Sequence, residues 1–214
     1  MSLHITSVDD IDFVIDGVLF DMDGTIVDSL HVTERIWTQW AVDHGVEDRL
    51  VIQHGQPAEA TIRHAMPEID EADFERILAD QRIREASDVD GVLAMRGTHD
   101  LMNWLTTERI AWAVVTSADA SLASARLGAA GIHPPALVTC DDITHGKPHP
   151  EPFLLGATRI GVTIDRCLVV EDTEAGLASG RAAGARTAAL GGLAGDLSIV
   201  DMADLHRQLM GVRT

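Results

Sequence analysis

The stretch Leu19-Phe20-Asp21-Met22-Asp23-Gly24-Thr25 ends an apolar run with two carboxylates two residues apart and then a glycine. In an extended chain, side chains at i and i+2 project to the same face, so Asp21 and Asp23 address one cleft just past the end of a strand. Two like charges so close invite a cation. A carboxylate held beside a metal can attack phosphorus, and a second, differently placed one can carry protons. Taken alone, the same residues also read as a strand followed by an Asp-Gly turn, which is common turn chemistry.

Working outward, apolar runs bounded by turn residues recur at 14–20, 111–115, 136–139, 167–170 and 187–190, the pattern of buried strands. Helical patterns fall between the later ones, at 121–130, 151–160 and 175–183, the last stopped by Gly184. Strands alternating with helices predict an α/β fold with a doubly wound parallel sheet, whose ligands bind at the carboxyl ends of the strands. About 90 residues separate Phe20 from Ala111, far more than one connecting helix needs. That region shows its own helical patterns at 29–44, 58–65 and 72–86. We therefore expect an inserted, all-helical cap over residues 31–93, with 1–30 and 94–214 forming the α/β core. Trp37 and Trp40, at i and i+3, are read as core of that cap rather than as a substrate platform.

The chain has 214 residues, 46% of them hydrophobic, enough for a substantial core. No apolar stretch approaches the ~18 residues needed to cross a bilayer, and no signal-like start is seen, so a cytoplasmic location is expected. The opening Met1-Ser2-Leu3 reads either as native or as an expression remnant. Cys140 and Cys167 lack any paired spacing, which points to neither zinc nor a disulfide. A net charge of -18 argues against nucleic acid and anionic membranes as partners. It also repels phosphates, so an acidic protein that handles them needs a local positive focus. Lys147 is the only lysine in the chain. A compact ammonium on a flexible stem suits a phosphoryl oxygen.

Four segments taken together, 19–25, Val114-Val115-Thr116-Ser117, Gly146-Lys147-Pro148-His149-Pro150 and Val169-Val170-Glu171-Asp172-Thr173, resemble the signature segments of the haloacid dehalogenase superfamily in order and spacing. The resemblance implies a nucleophile at Asp21, a general acid and base at Asp23, and an aspartyl-phosphate intermediate. It implies Mg2+ held by the Asp21 carboxylate, the Asp23 backbone carbonyl and Asp172, with Glu171 at the metal site, beside Asp172, to hold a metal-bound water. It assigns a phosphoryl contact to Thr116 and Ser117, and to Lys147 the task of tying nucleophile and phosphate together. Asp23 is then expected to start protonated in a dry neighbourhood while Asp21 stays ionised. Read alone, Glu171 and Asp172 also suit the start of a helix.

The loop His54-Gly55-Gln56 is similar to the His-Gly-Arg loop of the branch resembling sugar and polyol phosphatases, with Gln56 in place of the Arg; this makes His54 and Gln56 candidate substrate contacts. Whether His31 or His54 reaches a substrate is left open. His145 and His149 are read as surface or turn residues. The expected function is hydrolysis of small phosphorylated metabolites, sugar or polyol phosphates. The alternatives are a mutase of the β-phosphoglucomutase type, against which Thr25 and Thr33 stand, and a non-enzymatic phospho-receiver, in which the insert has no place. Oligomeric state is not legible.

Overall fold

The computed structural model describes residues 2–6, 12–52 and 57–211. Residues Leu3–Thr6 (β1) and Asp12–Ile15 (β2) pair as an antiparallel ribbon, and the chain bends at Asp16 before Gly17–Phe20 (β3) enters the main sheet. The run expected as one strand over 14–20 is therefore two. Asp16 divides it: its N–H donates to the Arg166 carbonyl at 2.8 Å and its carboxylate accepts from Arg166 Nε at 2.9 Å.

After β3 come Val27–Asp28 (β4), the helices Leu30–His44 (α1), Ala58–Ala65 (α2) and Glu71–Ser87 (α3), and Leu93–Ala94 (β5). The chain continues through Thr98–Thr107 (α4), Ala111–Val115 (β6), Ala120–Ala129 (α5), Leu137–Val138 (β7) and Glu151–Ile160 (α6). It ends with Cys167–Glu171 (β8), Glu174–Ala183 (α7), Arg186–Ala189 (β9), Leu197–Ser198 (β10) and Met202–Gly211 (α8).

Six strands form one sheet in the order β10-β9-β8-β3-β6-β7, every pairing parallel. Side chains alternate between its faces, as the pleat requires. Val18, Phe20, Trp112, Val114, Leu168 and Val170 join one apolar cluster with residues of α4, α5 and α8. Leu19, Ala113, Val115, Cys167 and Val169 join another with Phe153 and Ala157 of α6. Both faces are covered, which is why these strands read as unbroken apolar runs. Gly184 ends α7 in the left-handed region, at φ 93°, as its place after the helix predicts.

The insert leaves and re-enters the core through the short antiparallel ribbon of β4 and β5. Its helices bury a separate apolar cluster, including Trp37 and Trp40 of α1, Ile62 of α2 and Phe74 and Ile77 of α3. The two tryptophan rings meet edge to face with centroids 5.2 Å apart.

Candidate active site

Register places the site. Phe20 is level with Val114 on β6 and Val170 on β8, so Asp21, Val115 and Glu171 emerge side by side at the carboxyl edge of the three central strands. Lys147 reaches this edge from the loop after β7. Its Nζ donates to Asp21 Oδ1 at 2.5 Å, Glu171 Oε1 at 2.7 Å and the Val115 carbonyl at 3.0 Å. All three donor sites of the ammonium are used, and its side chain is 5% exposed. Burial alone would lower the Lys147 pKa, but the charges of Asp21 and Glu171 hold it above its ordinary value.

Glu171 is fully enclosed. Its second oxygen accepts from the backbone N–H groups of Asp172 and Thr173 and from the Thr173 hydroxyl, at 3.1, 3.0 and 2.8 Å. Those bonds are possible because residue 176 is glycine: a Cβ there would stand 1.7 Å from Glu171 Oε1. Asp172 accepts from the Thr25 hydroxyl at 3.1 Å. The turn after Asp23 brings Gly24 against it with φ 78°, where a Cβ would stand 2.1 Å from Asp172 Oδ2. A side chain is excluded at Gly24 on both grounds.

Asp21, Glu171 and Asp172 each place an oxygen within 4.8 Å of the others. Three acids face one lysine. Burial pushes Asp172 up to about 6, with the Glu171 charge adding to it. Burial also pushes Asp21 well up; Lys147 pulls it back, and Glu171 and Asp172 push it further. An all-oxygen donor set with surplus negative charge fits a hard divalent cation such as Mg2+. Asp21 and Asp172 have oxygens to offer it. Both oxygens of Glu171 are already engaged, so its part is to position Lys147 and the Asp172 backbone.

Asp23 lies in a different environment from the one expected. The enclosed carboxylate is Asp21, 11% exposed, whereas Asp23 is 19% exposed and ion-paired. Its Oδ1 accepts from Arg126 Nη1 at 2.8 Å and from the Ser29 hydroxyl. Asp23 is thus not a carboxyl in purely apolar surroundings: Arg126, buried on α5, supplies a countercharge. Arg126 also donates to the Thr33 hydroxyl at 2.8 Å and stands 4.0 Å from Glu85 of α3. Thr116 follows β6, is buried, and accepts from the Ala118 N–H at 3.1 Å, which leaves its hydroxyl proton to face the cleft.

Cap and core close over these groups. The cleft is lined by Asp21, Asp23, Thr116, Ser117 and Arg126 from the core and by Thr33, Trp37, Glu59, Arg82 and Glu85 from the insert. Trp37 packs in the cap core, as expected, and its indole N–H donates to Glu85 at 3.0 Å in the cleft wall. Burial pushes Glu85 up to about 7, against the pull of Arg126 and of the Trp37 bond. Arg82 bridges Glu59 and the core residue Asp119, 3.5 Å away. His54 and Gln56 lie outside the described residues. His31 lies away from the cleft, on an outer groove beside Arg35 and Asp88. Sequence reasoning missed Arg126 and Glu85. A buried arginine in a helix that otherwise packs apolar residues carries no local signal, because nearly every cation in the chain is arginine.

Residues 15–184 match the family described as haloacid dehalogenase-like hydrolases. The chain is 41% identical over 177 residues to hexitol phosphatase A of Escherichia coli, covering 81% of this chain and 82% of that one. It is 31% identical over 176 residues to fructose-1-phosphate phosphatase YqaB of the same organism, covering 78% and 92%. Among solved structures, a hydrolase from Pseudomonas syringae superposes with a TM-score of 0.77 at 25% identity, covering 93% of this chain and all of that one.

Proposed function

We propose a function from the premise that this chain belongs to the haloacid dehalogenase-like hydrolases: it is a magnesium-dependent phosphatase that hydrolyses small phosphate monoesters, of sugars or polyols, through an aspartyl-phosphate on Asp21. The observation that carries this is the Lys147 ammonium held between Asp21 and Glu171 at the strand edge, beside the oxygens of Asp172. The names of the two bacterial relatives support the substrate class. The cap is assigned to residues 31–93 and the core to 1–30 and 94–214, and the protein to the cytoplasm.

In this reading the Asp21 carboxylate attacks phosphorus in line with the leaving alkoxide. Lys147 keeps Asp21 aligned and offsets charge on the phosphoryl oxygens. Thr116 and the Ser117 backbone donate to the same oxygens. Asp23 gives a proton to the departing alkoxide and takes one from the water that then cleaves the acyl phosphate. With Oδ1 committed to Arg126 and Ser29, Oδ2 is the atom that carries that proton. Magnesium, when bound by Asp21, the Asp23 carbonyl and Asp172, would supply charge neutralisation at the phosphoryl group. Thr33 is engaged with Arg126 rather than offering a base to a second sugar hydroxyl, which disfavours the mutase alternative.

Turnover of p-nitrophenyl phosphate and of a panel of sugar and polyol phosphates in magnesium tests the proposal. Asp21→Asn is expected to lower kcat by at least about 10⁴-fold, and EDTA to remove activity that magnesium restores. Undiminished turnover by Asp21→Asn would sink the nucleophile assignment, and full activity in excess EDTA the metal.

A further inference from the structure

The loop that delivers Lys147 carries a second set of ligands on its outer side. His145, Lys147 and His149 alternate along it. Lys147 turns in to Asp21 and Glu171, while both histidines turn outward and meet Glu151, the first residue of α6. Their rings lie with centroids 4.5 Å apart, inclined at 33°. Glu151 Oε2 stands 2.9 Å from His145 Nδ1 and 3.8 Å from His149 Nδ1.

We propose that His145 Nδ1, His149 Nδ1 and Glu151 Oε2 form a binding site for a borderline transition-metal ion such as Zn2+, separate from the oxygen cluster of the cleft. A tetrahedral ion with bonds of about 2.0–2.1 Å holds its ligand atoms about 3.3 Å apart. The two separations from Glu151 Oε2 bracket that value, and all three residues offer ligand atoms within 4.8 Å of one another. The tautomers also suit it. The Glu151 N–H donates to His149 Nδ1 at 3.2 Å, so that nitrogen carries a lone pair, which the ion would take over from the N–H. A carboxylate only accepts, so His145 Nδ1 carries the proton that it gives to Glu151. Binding at that nitrogen takes the neutral ring to its other tautomer, with the proton on Nε2.

The carboxylate is fixed in advance. Glu151 accepts from the backbone N–H groups of Thr144 and His145 at 2.8 and 3.0 Å, which with the His145 ring hold it below the usual carboxylate range. Such outer bonds orient metal ligands. Two imidazoles and one carboxylate select zinc, nickel or copper over magnesium, and the fourth position is left to water. An ion here would tie both flanks of Lys147 to the start of α6.

The test is calorimetric titration of the magnesium-saturated protein with Zn2+. One zinc per chain is expected beyond the magnesium. The exposed pair variant His145→Ala/His149→Ala is expected to lose this binding by more than about tenfold in affinity while keeping its turnover of p-nitrophenyl phosphate in magnesium. Asp172→Asn is expected to keep it. Zinc uptake unchanged in the histidine variant, or lost in Asp172→Asn alone, overturns the site. With Co2+ as the probe, a visible absorption band of nitrogen-ligated tetrahedral cobalt is expected in the parent and not in the histidine variant; the same band in both also overturns it. None of this depends on the phosphatase reading.

Discussion

The floor and the roof of the cleft hold their charges in different ways. On the floor, Asp21, Glu171 and Asp172 are strand-end residues whose places follow from the register of β3 and β8, and Lys147 is locked by three acceptors. In the roof, Arg82 and Glu85 project from a helix of the insert, and reach the core through side-chain pairs with Asp119 and Arg126. Sheet register fixes the strand-end members of the first set. The second depends on how cap and core sit together, and an insert joined by one short ribbon is the part that can shift. In the proposed reading the reaction chemistry sits on the strand-end layer, and the insert supplies the rest of the cleft wall.

The largest effect expected of a test of that contrast is at Lys147. Lys147→Ala leaves two enclosed carboxylates facing each other and should lower kcat about 10²- to 10³-fold, with KM changed much less. A change mainly in KM would move Lys147 from the floor's chemistry to substrate capture. Next is Glu85. Its carboxyl is neutral more readily when folded than when unfolded, so stability is greatest below the unfolded value of 4.5 and is lost as pH rises to about 7. That loss amounts to at most about 3 kcal/mol. Thermal melts between pH 4.5 and 7 should show the parent losing stability relative to Glu85→Gln, and parallel profiles would place the buried acid's charge elsewhere.

Gly176→Ala sharpens the floor side. The added methyl group cannot share space with Glu171 and should cost about 1–3 kcal/mol in denaturant unfolding, with kcat falling through Lys147. Smallest is Arg82→Ala, which removes a half-exposed bridge between cap and core. A loss of about 0.5–1 kcal/mol is expected, read as a few-fold rise in KM at constant kcat; an equal fall in kcat would make the roof part of the chemistry.

The floor was legible in the sequence because strand ends announce themselves: an apolar run stops, and the residues after it must lie at the carboxyl edge of a parallel sheet. The places of Asp21, Thr116 and Asp172 follow from that rule, their expected roles from the resemblance of the four segments, and Lys147 stands out as the only lysine. The roof was not legible. Arg126 and Glu85 sit within helices whose patterns say only that one face is buried, and which buried polar group meets which depends on how α3 packs on α5. The same limit hid the division of 14–20 at Asp16, whose partner Arg166 is 150 residues away. The helices α4 and α8 went unread among the later apolar segments, although both pack on the sheet face that carries Phe20.

The single lysine has a practical consequence. A reagent that acylates amines finds one side-chain target in the whole chain, and that target is a protonated ammonium, 5% exposed and held by two carboxylates. It reacts only when that cluster comes apart. The rate at which the Lys147 peptide, separated from the N-terminal amine by digestion, gains an acyl group is therefore a clock for the opening of the cleft floor.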